Sequence, residues 1–209
     1  SVTVGANGAS NIDFTSIPQT YTDLKIVFSL RTAQVTTDAQ VRMNVNGTGV
    51  GSNFSLRSIQ GSGSSASSSS SATGWITGGT MPGSSVTANT FNNMELYIPN
   101  YTGSTFKAIS FDGVMENNAT LAYSELNSIL YSSTSAISSL SFTCAGDNTF
   151  IQYSTAYLYG ITNANPSGAT GSTPKATGGT ISYSNGYWIH TFTSTGTFTP
   201  SQNLTVDYL

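Results

Sequence analysis

The chain has 209 residues, with six Lys and Arg against nine Asp and Glu, a formal net charge of −3 and a charged fraction of 7%, where an ordinary soluble domain carries roughly 25%. Catalysis and metal activation usually converge several ionisable groups on one pocket. With one histidine, one cysteine and no two acids within three positions of each other, the composition argues against an enzyme.

Strand signals come first and dominate. Residues 23–31 alternate Leu24, Ile26, Phe28 and Leu30 with Lys25, Val27, Ser29 and Arg31, the period of a half-buried strand. Residues 41–45 repeat it with Val41, Met43 and Val45, and Asn46 with Gly47 follows as a turn signal. Residues 54–59 set Phe54 and Leu56 against Ser55 and Arg57. Residues 61–74, GSGSSASSSSSATG, hold nothing apolar larger than alanine; they read as a mobile loop, unable to offset their ordering entropy.

Strands resume at Trp75 and Ile76, and at 91–98, where Met94, Leu96 and Ile98 alternate before Pro99 closes the run. Residues 105–115 put Lys107, Ile109, Phe111 and Met115 on one parity. Residues 120–131 fit helical spacing nearly as well as strand, but their Thr, Tyr, Ser and Asn favour β. Residues 137–143 and 150–161 complete the set. The last places Ile151, Tyr153, Thr155, Tyr157, Tyr159 and Ile161 on one face.

Nine or so short strands within 1–162 predict an all-β fold, a jelly-roll-like β-sandwich. Residues 163–179 read as a linker rich in Pro and Gly. Residues 180–209 read as a small C-terminal β-meander: Ile181 and Tyr183, a turn at 184–186, 187–193, a turn at 194–196, 197–199, and a closing strand at 204–209. So small a meander must lean on a neighbour.

Aromatics reach 11%, with 11 Tyr and 10 Phe, too many for a disordered chain. Ser and Thr total 65, so the surface is built of hydroxyls and amides rather than ions. The six cations form no basic stripe, which argues against nucleic acid as a partner. One cysteine makes no internal disulfide, and no apolar run reaches the roughly 18 residues that would indicate a membrane span. The N-terminus shows no charged-then-apolar leader, so no secretion route is expected from it.

Two stretches carry a resemblance. FTSIPQTYTDLKIVFSLRT at 14–32 and FIQYSTAYLYGI at 150–161 resemble the terminal strands of a β domain in virion structural proteins of tailed phages, notably those of cyanobacteria and marine bacteria. GGTISYSNGYWIHTFTSTGTFTP with the closing VDYL, across 178–209, resembles a module of phage fibre-like proteins that precedes a glycine-rich tract. The 209 residues end before any such tract. The resemblance implies an exterior virion component, either a capsid decoration or head-fibre protein or a tail-fibre segment, and by analogy a homotrimer.

The residue types able to carry chemistry read mostly as structure. His190, in YWIHTF, has no second His or nearby acid, and metal ligation needs several ligands. Cys144 ends an apolar strand and reads as a packed thiol. Asp112, Glu116 and Glu125 are scattered acids rather than the carboxylate pair of a glycosidase, and Asp147 with Asn148 reads as a turn. Tyr153, Tyr157 and Tyr159 read as core or cross-strand packing. The sequons at Asn46, Asn53, Asn100, Asn118 and Asn203 follow from an Asn- and Thr-rich composition. No catalytic, cofactor or metal residue is expected.

The expected function is therefore non-enzymatic assembly on the virion exterior, with copies of itself and other virion proteins as partners. The expected interface is the C-terminal set Ile181, Tyr183, Tyr187, Trp188, Ile189, Phe192 and Phe198, since a meander this small cannot bury its own apolar side. The alternative is a carbohydrate-binding receptor-recognition module of a tail fibre, meeting host glycan through Trp75 and Trp188.

Overall fold

Alternating burial is visible strand by strand in the computed structural model, which describes residues 1–47, 53–72, 76–118, 121–146, 148–162, 174–184 and 187–207, with backbone alone at 76–78. By internal contacts the chain divides into Ser1–Thr162 and Asn163–Leu209.

The first unit is all-β. Its strands among the described residues are β1 (Val2–Thr3), β2 (Asn11–Phe14), β3 (Asp23–Ser29), β4 (Asp38–Val45), β5 (Phe54–Gly61), β6 (Ala66–Ser71), β7 (Ile76–Pro82), β8 (Asn93–Ile98), β9 (Lys107–Met115), β10 (Tyr123–Tyr131), β11 (Leu140–Cys144) and β12 (Thr155–Ile161). They form an eight-stranded sheet in the order β1-β12-β3-β8-β9-β10-β5-β6 and a four-stranded sheet in the order β2-β11-β4-β7. Every pairing is antiparallel.

From β2 to β11 the chain passes between the sheets in the order of a jelly roll, with β5 and β6 consecutive in the larger sheet. The one departure is that the seventh strand position is filled by the three-stranded meander β8-β9-β10. β12 then adds outside β3, and β1 outside β12.

The core lies between the sheets. Leu24, Ile26 and Phe28 of β3, with Met94, Leu96 and Ile98 of β8, face Ile12, Val41, Met43, Val45, Leu140 and Phe142, all buried. The Phe28 ring meets Phe142 of the opposite sheet edge-on at 4.9 Å and Phe111 at 5.7 Å. Removing such a ring costs about 3–5 kcal/mol.

Two sequence expectations change in this unit. The serine run is a strand, not a mobile loop: all six residues of β6 pair with β5, from Leu56 with Ser71 to Gly61 with Ala66. The backbone bonds to an existing strand supply what the side chains lack. Within 150–161 the strand begins only at Thr155, and the buried parity is that of Ala156, not of the tyrosines. Tyr153 sits in a turn at φ 74 and is 69% exposed, and Tyr157 and Tyr159 face solvent rather than the core.

The second unit contains β13 (Ala176–Thr177), β14 (Thr180–Ser184), β15 (Tyr187–Thr191) and β16 (Thr199–Pro200). β14 pairs with β15, and β13 with β16. β13 falls inside the span read as linker, of which 163–173 lies outside the described residues. The expected closing strand is absent from 203–207. Only glycine fits at Gly178, where φ is 109 and a Cβ would collide with the Thr197 carbonyl oxygen.

Candidate interaction surface

Among the described residues of Ser1–Thr162 no strand lies over the solvent face of the eight-stranded sheet, and its register sets side chains in rows across the strands. One row runs Tyr159, Lys25, Tyr97, Ser110, Ser128, Arg57 and Ser70. The next runs Tyr157, Val27, Glu95, Asp112, Leu126, Ile59 and Ser68. Between Tyr97 and Arg57 the serines leave a trough, an open groove of about 820 Å3 whose lining includes Ile59, Leu126, Ser68 and Ser70.

The charged side chains of this face are Lys25 of β3, Glu95 of β8, Asp112 of β9 and Arg57 of β5. Lys25 Nζ meets Glu95 Oε1 at 2.7 Å. The Tyr97 hydroxyl donates to Asp23 at 2.6 Å, and the Asn100 N–H donates to the same carboxylate at 2.8 Å. That bond to Asp23, with some burial, raises the Tyr97 pKa above its ordinary value. Arg57 Nη1 donates to the Leu56 carbonyl at 2.9 Å. The rest of the face is hydroxyl and apolar: Ile59 is 60% exposed, Leu126 57% and Val114 48%. Exposed apolar side chains gathered on one face mark a surface that another molecule can cover.

Sequence reasoning missed these apolar residues, although a signal existed. Ile59 lies on the parity of Arg57, opposite to Phe54 and Leu56; an apolar residue on a strand's wet parity has no core to enter.

The expected C-terminal interface residues are not on one face. Pairing of Ile181 with His190 and Tyr183 with Trp188 puts those four on one side of the β14-β15 hairpin, while Tyr187 and Ile189 point to the other. Tyr183 and Trp188 pack at 4.9 Å, and His190 meets Phe198 edge-on at 5.0 Å. His190 Nδ1 stands 2.7 Å from the Gly178 carbonyl oxygen; that oxygen can only accept, so Nδ1 carries the proton. Phe192 is 39% exposed. Trp75 lies outside the described residues, as does Asp147.

The remaining candidates do not converge. Cys144 is fully buried, its Sγ 3.2 Å from Thr32 Oγ1. Asp112 stands on the solvent face and Glu125 on the core side of the same sheet, because Asp112 pairs with Leu126 and not with Glu125. Glu116 accepts the N–H of Asn118 at 2.7 Å. Asn46, Asn100 and Asn118 occupy left-handed turns, where asparagine is tolerated. Among the described residues no three of His, Cys, Asp and Glu are grouped as metal ligands would be.

Fold and face together define a jelly-roll-like β-sandwich that presents one broad, largely uncharged sheet surface to solvent. Comparison with family models, with curated proteins and with solved structures finds no match to the chain.

Proposed function

We propose that the chain is a non-enzymatic structural protein of a tailed-phage virion. It stands on the particle exterior, as a capsid decoration, head-fibre or tail-fibre component, and acts by assembly with copies of itself and with other virion proteins. The observation that carries this reading is the solvent face of the larger sheet, where Ile59, Leu126 and Val114 stand exposed among hydroxyls. Contacts on such a face cost little charge desolvation, and each 100 Å2 of apolar area covered contributes about 2.5 kcal/mol. The resemblance of 14–32, 150–161 and 178–209 to phage virion proteins supports the same reading, and the trimer rests on that analogy.

The test is sedimentation velocity on the purified chain across a wide concentration range, alone and without residues 178–209. A stable oligomer that dissociates on removal of that segment supports assembly through the C-terminal unit. A chain that stays monomeric at every concentration, and does not label purified particles through antibodies raised against it, refutes the reading.

A second reading, recognition of host glycan, is favoured by one observation. Tyr157 and Tyr159, 41% and 52% exposed, present two rings on the same face of β12, and sugar rings stack on such faces. It requires saturable binding of the chain to host lipopolysaccharide, abolished by Tyr157→Ala with Tyr159→Ala, or by Trp188→Ala if the hairpin is the site.

A further inference from the structure

The free edge of the larger sheet is the feature that assembly by broad faces leaves unused. At one end the sheet closes with β1, only two residues long; at the other it ends with β6, six residues long. Natural edge strands are guarded by charge, proline, bulges or brevity. β6 has none of these, and no Asp, Glu, Lys or Arg occurs from Ser58 to Met94.

The hairpin geometry says which backbone groups are on offer. Ser62 N–H donates to the Ser65 carbonyl at 2.9 Å, which makes that pair a hydrogen-bonded one. Alternation then gives the same role to Gln60 with Ser67 and Ser58 with Ser69. The N–H and C=O of Ala66, Ser68 and Ser70 therefore point away from β5, and no strand among the described residues pairs with that edge.

A second, independent observation lies beside the edge. Ser68 pairs with Ile59, and Ile59 with Leu126, so the groove begins directly behind the serines of β6. A strand added to β6 would lie two strand spacings of about 4.8 Å from β5. Only serine hydroxymethyls would stand between its outward side chains and the exposed Ile59.

We infer that the β6 edge, with the groove behind it, binds an extended, uncharged peptide segment of another protein, carrying bulky apolar or aromatic residues at alternate positions. The segment adds as a further strand of the sheet: backbone bonds to Ala66, Ser68 and Ser70 hold it, and its alternate side chains reach over the serines to Ile59. This is strand addition with side-chain selection. A second copy of β6 is a poorer occupant, since it would oppose serine to serine and leave Ile59 uncovered. The inference concerns this edge alone and holds whatever particle carries the protein.

The probe is an acetylated, amidated peptide Thr-Phe-Thr-Phe-Thr-Phe-Thr bearing a fluorophore, titrated with the full chain and read by anisotropy. Saturable binding is expected, with a Thr-Ser alternating peptide showing none. Ser68→Pro removes an outward N–H and leaves the β5-β6 bonds in place; it should weaken binding by at least about tenfold, because proline cannot donate to an added strand. Ile59→Ser should also weaken binding while leaving the edge bonds available. Ser70→Pro serves if Ser68→Pro disturbs thermal unfolding. Equal binding by the proline variants overturns the inference. So does a concentration-dependent dimer of the wild-type chain that Ser68→Pro dissolves, because the occupant would then be a second copy.

Discussion

The carboxylate of Glu125 on β10 accepts the backbone N–H of Thr80 on β7 at 2.7 Å and its hydroxyl at 2.5 Å, tying the two sheets together across the sandwich. The tie continues, because Asn92 donates to the Thr80 carbonyl at 2.8 Å and accepts the Leu30 N–H at 2.7 Å. One carboxylate thus anchors a path from β10 through β7 to the end of β3.

Burial raises the Glu125 pKa, against the opposing pull of the Thr80 bonds. A carboxyl with a raised folded pKa binds its proton more readily folded than unfolded. Its contribution is therefore fully present below the ordinary glutamate value near 4.3 and is lost as pH rises through the raised value. Glu125→Gln, which can still accept the Thr80 N–H and donate to its hydroxyl, should keep the fold and flatten the pH dependence of the unfolding midpoint in that window. Glu125→Ala should cost about 1–3 kcal/mol at pH 7, the penalty of leaving the buried Thr80 N–H unpaired; urea unfolding checks both.

Lys107 shares the parity of Ile109 and Phe111 and is equally buried, 1% exposed. Its ammonium donates to the carbonyls of Gly103 at 2.8 Å, Ser133 at 3.2 Å and Ser135 at 2.7 Å, so it closes the two loops flanking β9 and β10. Lys107→Met keeps the apolar stem and orphans three carbonyls. The expected loss is about 3 kcal/mol, measured by denaturant unfolding, with faster amide exchange at 133–137.

Gly79 has φ 82, and a Cβ there would collide with Met94 Sδ. Gly79→Ala combines a left-handed backbone penalty with a core clash and should cost more than about 2 kcal/mol. Gly47 has φ 66 but open space around its Cβ position, so Gly47→Ala should cost only about 1 kcal/mol. Comparing their thermal midpoints separates the collision from the backbone strain.

Arg31 is 5% exposed and donates through Nη1 to the carbonyls of Thr87 at 2.7 Å and Thr90 at 3.0 Å, and through Nη2 to that of Val86 at 3.1 Å. Lysine offers a point charge where this fork spans several carbonyls. Arg31→Lys should leave the sandwich folded, at a cost of about 1–2 kcal/mol, and raise hydrogen exchange selectively across 86–92.

Much of the sandwich was legible in the chain because alternate burial is a local property. In 23–31, 41–45, 91–98 and 105–115 the apolar residues occupy one parity, and each run became a strand with that parity inward. The ambiguous 120–131 resolved to β10 because β9 and β5 pair with it on both sides. The candidate surface was far less legible: its residues are ordinary on their own strands, and Ile59, Leu126 and Ser68 become neighbours only through register.

The chain by itself therefore determined the strand periodicity, the all-β class and the scarcity of ionisable groups, since each depends on residue identity and nearest neighbours. Tertiary structure decided the rest. Whether ASSSSS pairs, which parity of 155–161 faces the core, that Asp112 and Glu125 lie on opposite faces, and that Lys107 enters the core all depend on backbone bonds and packing partners distant in sequence. The physical reason is that a strand supplies only half of each ladder, and its partner determines which side chains meet.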